Sequence, residues 1–174
     1  MQRLKARIPY SSAMFQASVS GLYVDLQTGE PVVLLREVDG DRSLPIWVSS
    51  NEMAALALEL FDNSSTPPRP LTHDLVRSVV SSLNARVLGT AVSDLKDHIY
   101  RAVLSLETES GVLEIDTRPS DGIVLALKFG APICVADEVV KERLRLAKEA
   151  CQEPEDLWDR LQQIHPDDLN TQTI

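Results

Sequence analysis

LPIWVSSNEMAALALEL, residues 44 to 60, decides the fold. It reads as a strand that hands over to a helix, and 69 residues later LEIDTRPSDGIVLALKF, 113 to 129, repeats the plan. LPIWV is short, apolar and rich in branched and aromatic side chains, as a strand is. In SNEMAALALELF, Met53, Leu56, Ala57 and Leu60 recur at helical spacing. Ser50 or Asn51 can cap that helix, and Glu52 occupies its first turn, where the helix dipole favours a carboxylate. In the second copy GVLEIDT (111–117) is the strand, and PSDGIVLALKFG (119–130) is a helix that stops at Gly130. At the offset of 69, Leu44 falls on Leu113, Ile46 on Ile115, Asn51 on Ser120 and Glu52 on Asp121. Leu56-Ala57-Leu58 falls on Leu125-Ala126-Leu127, and Asp25-Leu26 on Asp94-Leu95. Identities, an acid for an acid and a common element order together read as an internal duplication.

Working outward, VSGLYVDL (19–26) and PVVLLREV (31–38) read as strands joined by a turn too short for anything but antiparallel pairing. ARVLGTAVSDL (85–95) and HIYRAVLSLET (98–108) repeat them around a tight Lys-Asp turn. Trailing helices over 71–82 and 140–151 correspond as well. The expected architecture is α+β: duplicated strand-strand-strand-helix units in one largely antiparallel or mixed sheet, with helices packed on it and each half completing the other's core. Residues 1–14 read as a flexible extension, 15–150 as the domain, and 151–174 as a C-terminal helix and polar tail. In that tail EDLWDRLQQI (155–164) reads as a short helix docking through Trp158 and Leu161, with a second subunit as a candidate partner.

Composition narrows the class. The 174 residues are 44% apolar and 25% charged, as in a soluble globular chain long enough for a core. A net charge of −9, from 26 acidic and 17 basic side chains, works against long-range attraction to nucleic acid. No apolar run reaches the length of a membrane span; the nearest, GIVLALKFGAPICVA, is broken by Lys128 and Pro132. Two cysteines give neither a disulfide framework nor metal-ligand spacing, and Cys134, inside APICVA, reads as a buried thiol. A cytoplasmic setting fits. Gly-rich phosphate loops, CxxC, HExxH and GxSxG elements are absent, as is an aromatic RNA-binding signature.

Two polar blocks remain, and each stands at a helix start. In DTRPSDG, Asp116, Arg118, Ser120 and Asp121 surround Pro119, which suits a first helical turn. In RPLTHDLV, Thr72 is a candidate cap, Asp74 fits the early helix, and Arg69 stands just ahead of it. His73 reads as a general base, a metal ligand or a hydrogen-bonding structural residue. Carboxylates can hold Mg²⁺ or Mn²⁺ and arginines can brace a phosphate. The set is therefore compatible with metal-assisted phosphodiester cleavage. It assigns catalysis to Glu52, His73, Asp74, Asp116 and Asp121, substrate binding to Arg69, Thr72, Arg118 and Ser120, and metal binding to Asp74, Asp116 and Asp121. The competing reading is a non-catalytic interaction or regulatory domain whose polar residues brace helix entrances and subunit contacts.

LPIWV with its acid-bearing helix, RPLTHDL, DTRPSDGIVLAL and GAPICV together resemble the bifunctional nuclease (BFN, DUF151) family, over roughly residues 17 to 140. The resemblance implies an α+β domain with nuclease activity on DNA and RNA. The chain departs from the family pattern at Ser49, where glycine is usual, and at Glu52-Met53, where a Glu-Ala pair opens the helix. Gly122 stands where alanine or serine commonly follows RPSD. A homo-oligomer is expected.

Overall fold

The computed structural model describes residues 13–61, 68–149 and 159–164. Elements run β1 (Met14–Asp25), β2 (Pro31–Glu37), β3 (Ser43–Trp47), α1 (Ser50–Leu60), α2 (Thr72–Ser82), β4 (Arg86–Lys96), β5 (Ile99–Thr108) and β6 (Gly111–Thr117). They continue with α3 (Pro119–Phe129), β7 (Ile133–Ala136), α4 (Asp137–Glu149) and β8 (Leu161–Gln163). The fold is α+β with one mixed sheet in the order β3-β2-β1-β7-β4-β5-β6. Each repeat supplies an antiparallel meander, and the first strand of each, β1 and β4, lies beside β7.

Strand β7 itself was not foreseen as a strand. It pairs antiparallel with β1 and parallel with β4, and so joins the two repeats. All four of its residues are buried, which makes Cys134 a core thiol whose pKa burial pushes up. Four of the seven residues of β2, Val32 to Leu35, are buried in succession, so that strand is covered on both faces.

One core unites the halves. Leu22, Val33, Leu35, Leu44 and Leu56 from the first pack with Val92, Ile123, Val124, Val135 and Val139 from the second. A smaller cluster of Val80, Val87, Leu104, Leu106 and Leu125 seats α2 and α3 on β4 and β5.

The ends of elements follow local chemistry. The β4–β5 corner falls on Asp97 and His98, with φ of 51° and 63°, the doubly left-handed turn that suits a two-residue hairpin. Gly130 closes α3 at φ 61°, and the Ala131 N–H reaches back to the Ala126 carbonyl.

Two expectations need correction. Met14, assigned to the extension, begins β1 because it pairs with Ala136. Leu161 to Gln163, expected as helix, form β8. On that flank β7 reaches only Met14 to Ala17, and β8 takes the open backbone groups of Tyr23 to Asp25. Leu161 thus docks on this chain's own sheet; Trp158 lies outside the described residues.

Candidate active site

Three helix starts meet. Helix α1 is capped by Ser49, one residue before the expected caps. Its Oγ accepts from the Glu52 N–H at 3.4 Å, and Glu52 Oε2 accepts from the Ser49 N–H at 2.6 Å. The Ser-x-x-Glu spacing at 49–52 carried that signal in the sequence. The departure from glycine at 49 therefore supplies a side-chain cap. Helix α2 starts with Thr72, and Leu71 is its N-cap; Asp74 Oδ2 accepts the Leu71 N–H at 2.8 Å, so Asp74 performs the capping expected of Thr72. Helix α3 starts with Pro119 after Arg118, and Ser120 turns inward without capping.

These starts place five of the selected residues in one connected network. Glu52 Oε1 accepts from Ser120 Oγ at 2.8 Å and pairs with Arg118 Nη1 at 2.7 Å. Arg118 Nε donates to Asp121 Oδ2 at 2.7 Å, and His73 Nε2 lies 3.1 Å from Asp121 Oδ1. Burial pushes the Asp121 carboxyl up, but Arg118 and then His73 more than offset it and hold its pKa below the usual value. Glu52 is likewise lowered: burial opposes the charge, while the Ser49 N–H, the Ser120 hydroxyl and Arg118 favour it. Both carboxylates are accordingly ionised at neutral pH. An ionised Asp121 only accepts, so Nε2 of His73 donates to it, and a neutral imidazole keeps Nδ1 as an acceptor. The Arg118 side chain is 66% exposed while Glu52 is 15%, so the cation faces solvent on a partly buried acidic footing.

The other selected residues lie apart. Asp74 accepts from Lys128 at 2.5 Å, and Lys128 also binds Glu59 at 2.6 Å. This second network ties α1, α2 and α3 together, and neither Glu59 nor Lys128 was singled out from the sequence. Asp116 is exposed on β6, and Arg69 and Thr72 are exposed around the start of α2. Among the described residues no three His, Cys, Asp or Glu side chains gather closely enough to hold a metal ion. Asp74 and Asp121 are each engaged by a cation, and Asp116 joins neither, so these three carboxylates do not fit a metal cluster.

Behind the site, Gly122 has a physical reason. A Cβ there would lie 2.4 Å from the Oγ1 of buried Thr90, so the alanine or serine common at this point would collide with β4.

A sequence model of the bifunctional nuclease domain matches residues 33–146, and the chain belongs to that family. Two uncharacterized proteins of Mycobacterium tuberculosis, one from strain CDC 1551 / Oshkosh and one from strain H37Rv, are similar to it. Each is 38% identical over 129 residues, which cover 74% of this chain and 76% of the relative. No described helix is long and apolar enough to cross a membrane.

Proposed function

We propose that this protein is a nuclease that hydrolyses phosphodiester bonds in DNA, RNA or both, in a cytoplasmic setting and as a homo-oligomer. The observation that carries the reading is the Glu52–Arg118–Asp121–His73 chain, with its arginine open to solvent and its histidine held by an ionised aspartate. Arg118 offers a planar donor fork to a substrate phosphate. Glu52 and Ser120 position it: Glu52 by direct pairing, Ser120 through Glu52. His73, oriented by Asp121 through Nε2, accepts a proton from the attacking water at Nδ1. The water oxygen bonds to phosphorus, the bond to the leaving oxygen breaks, and that oxygen takes a proton from solvent. The arrangement is the nucleophile–base–orienter logic of other hydrolases, with water as the nucleophile. With a net charge of −9, substrate capture rests on few local contacts, which gives Arg118 unusual weight. Asp74, Asp116 and Asp121 do not come together as a ligand set, so the phosphate and proton contacts fall to Arg118 and His73. Mg²⁺ or Mn²⁺ carried by the substrate phosphates is read by the EDTA arm of the test.

A non-catalytic reading has one observation in its favour: Glu52 is fully engaged by its cap, Ser120 and Arg118, as a brace between α1 and α3 would be. The deciding experiment is nuclease assay of highly purified wild-type, His73→Ala and Asp121→Ala proteins, with and without EDTA. Loss of activity in both folded variants supports the nuclease. Wild-type-level cleavage in both, traceable to a contaminant, or no cleavage by any of the three, leaves the brace as the role of the network.

A further inference from the structure

We propose that Lys128 is a positioning residue for His73: through Asp74 it fixes the first turn of α2, and with it the imidazole, against α3. This role rests on the reading of His73 as the proton acceptor, and the closing experiment separates the failure of one from the failure of the other.

Within the chain, packing holds only the far part of α2. Of its eleven residues Val80 alone is buried, two turns beyond His73. Helix α3 is rooted far more firmly, with seven of its eleven residues buried between Pro119 and Ala126. The start of α2 therefore takes its position from polar ties to α3, and there are two. His73 Nε2 lies 3.1 Å from Asp121 Oδ1, and Asp74 Oδ1 accepts from Lys128 Nζ at 2.5 Å. Asp121 and Lys128 stand two turns apart on α3, which separates them by about 10 Å along its axis. Adjacent residues of α2 thus reach well-separated points of one rigid helix. The His73 contact alone would leave the turn free to pivot about it; the second tie sets the angle.

Asp74 carries that tie into the backbone. Its other oxygen, Oδ2, accepts the Leu71 N–H at 2.8 Å, so the carboxylate that Lys128 holds is also the one that caps the helix. His73 sits inside the loop that this cap closes. Lys128 is itself fixed from a third side, because Nζ also donates to Glu59 Oε1 of α1 at 2.6 Å, and its side chain is only 10% exposed. Screening by salt is weak at such a place. The Lys128 bonds join full charges and are about twice as strong as the bond a neutral imidazole makes. The histidine is accordingly held by a frame that it does not build.

The test combines imidazole NMR of the full chain, carrying nitrogen-labelled histidine, with steady-state cleavage of an oligonucleotide. Both are run well below the melting temperature, which circular dichroism supplies for each protein. Wild type is expected to show a downfield Nε2 proton that His73→Ala lacks. Lys128→Met is expected to lose that signal and about 10- to 100-fold in kcat, because a small misplacement of the base suffices for such a loss. Its KM should stay within about twofold of wild type, since Arg118 is held by Glu52 and Asp121 and not by Lys128. Lys128→Arg keeps the charge and can bridge both carboxylates, so the signal should return and kcat recover to within about threefold. Asp74→Asn, at a half-exposed position, reads the same tie from its other end should Lys128→Met not fold. A brace of the fold alone would lower the melting temperature and move neither the signal nor kcat. A folded Lys128→Met protein that keeps the signal, or keeps wild-type kcat, overturns the proposal, as does a wild type without the signal. If wild type cleaves nothing, the nuclease reading falls, and the signal still decides whether Lys128 places His73.

Discussion

Glu59 and Lys128 stand 69 residues apart in the chain and 2.6 Å apart in space. That separation is the repeat offset itself, so equivalent positions of the two repeats face each other across the α1–α3 contact. Glu52 and Ser120 meet one end earlier, which sets the two helices side by side in the same direction. Burial opposes the Lys128 charge, but Asp74 and Glu59 more than offset it, and its pKa is raised. A raised folded pKa gives stability that is complete below 10.5 and lost as pH rises through the folded value. Asp74, lowered first by Lys128 and then by the Leu71 N–H, contributes above 3.8 and loses that contribution as pH falls through its folded value. Lys128→Ala is expected to cost about 2–4 kcal/mol, since Glu59 and Asp74 are left without their cation. Urea denaturation at pH 7 measures this, and the loss should shrink above pH 10.5.

Gly122 and Thr90 make a second coupled pair. Alanine normally stabilises a helix position over glycine by about 1 kcal/mol. Here the 2.4 Å approach to Thr90 Oγ1 reverses the sign, and Gly122→Ala is expected to destabilise by about 1–3 kcal/mol. Thr90→Ala removes the obstructing hydroxyl, so the double variant should lose less than the two single losses together, by about 0.5–2 kcal/mol. Thermal melting of the four proteins reads the cycle. A Gly122→Ala protein more stable than wild type would show that the space is open after all.

What the sequence made legible was what repeats locally. The offset of 69 showed because α1 and α3 bury matching positions, Leu56 and Ala57 against Leu125 and Ala126. Gly130 showed because only its own backbone ends α3. Strand β7 did not show, since four apolar residues, ICVA, have no period that separates strand from buried helix. Strand β8 did not show, because LQQ has no apolar pattern and is placed by partners more than a hundred residues away. The site was half legible. Both polar blocks stood out as helix starts, but the contact of His73 with Asp121, 48 residues on, follows from packing alone. The separation of Asp116 was within reach: on β6 it alternates with Leu113 and Ile115, which puts it on the face away from α2.

Arg160 holds β8 to the sheet. Its Nε lies 3.2 Å and its Nη2 2.5 Å from the Asp25 carboxylate, which is completely buried. Burial pushes Asp25 up, but Arg160 and the Gln27 N–H bring it below its ordinary value. Removing the arginine leaves a buried charge unpaired, so Arg160→Ala is expected to cost about 3–5 kcal/mol. Asp25→Asn with Arg160→Ala should recover part of that loss, because no charge is then buried. Urea midpoints of both variants test this, and a loss under 1 kcal/mol for Arg160→Ala would mean that water reaches Asp25.

Arg118 provides the sharpest distinction between a phosphate anchor and a brace. As an anchor, it makes one phosphate contact, and Arg118→Ala should lower kcat/KM about a hundredfold while reducing the slope of log(kcat/KM) against log salt by about 1. Glu52→Gln keeps that contact, so its salt slope should stay at the wild-type value even if activity falls. Asp121 sets the pH arm of the comparison. Its lowered pKa keeps it ionised until pH falls below 3.8, so its own protonation cannot produce an acid limb above that point. Asp121→Asn should therefore lower the rate at pH 7 to 8 by about a hundredfold, through loss of the group that orients His73. Steady-state rates on single-stranded oligonucleotides, over a salt series and a pH series, measure all three variants. An Arg118→Ala enzyme with the wild-type salt slope would assign the arginine to holding α1 against α3 and not to the substrate.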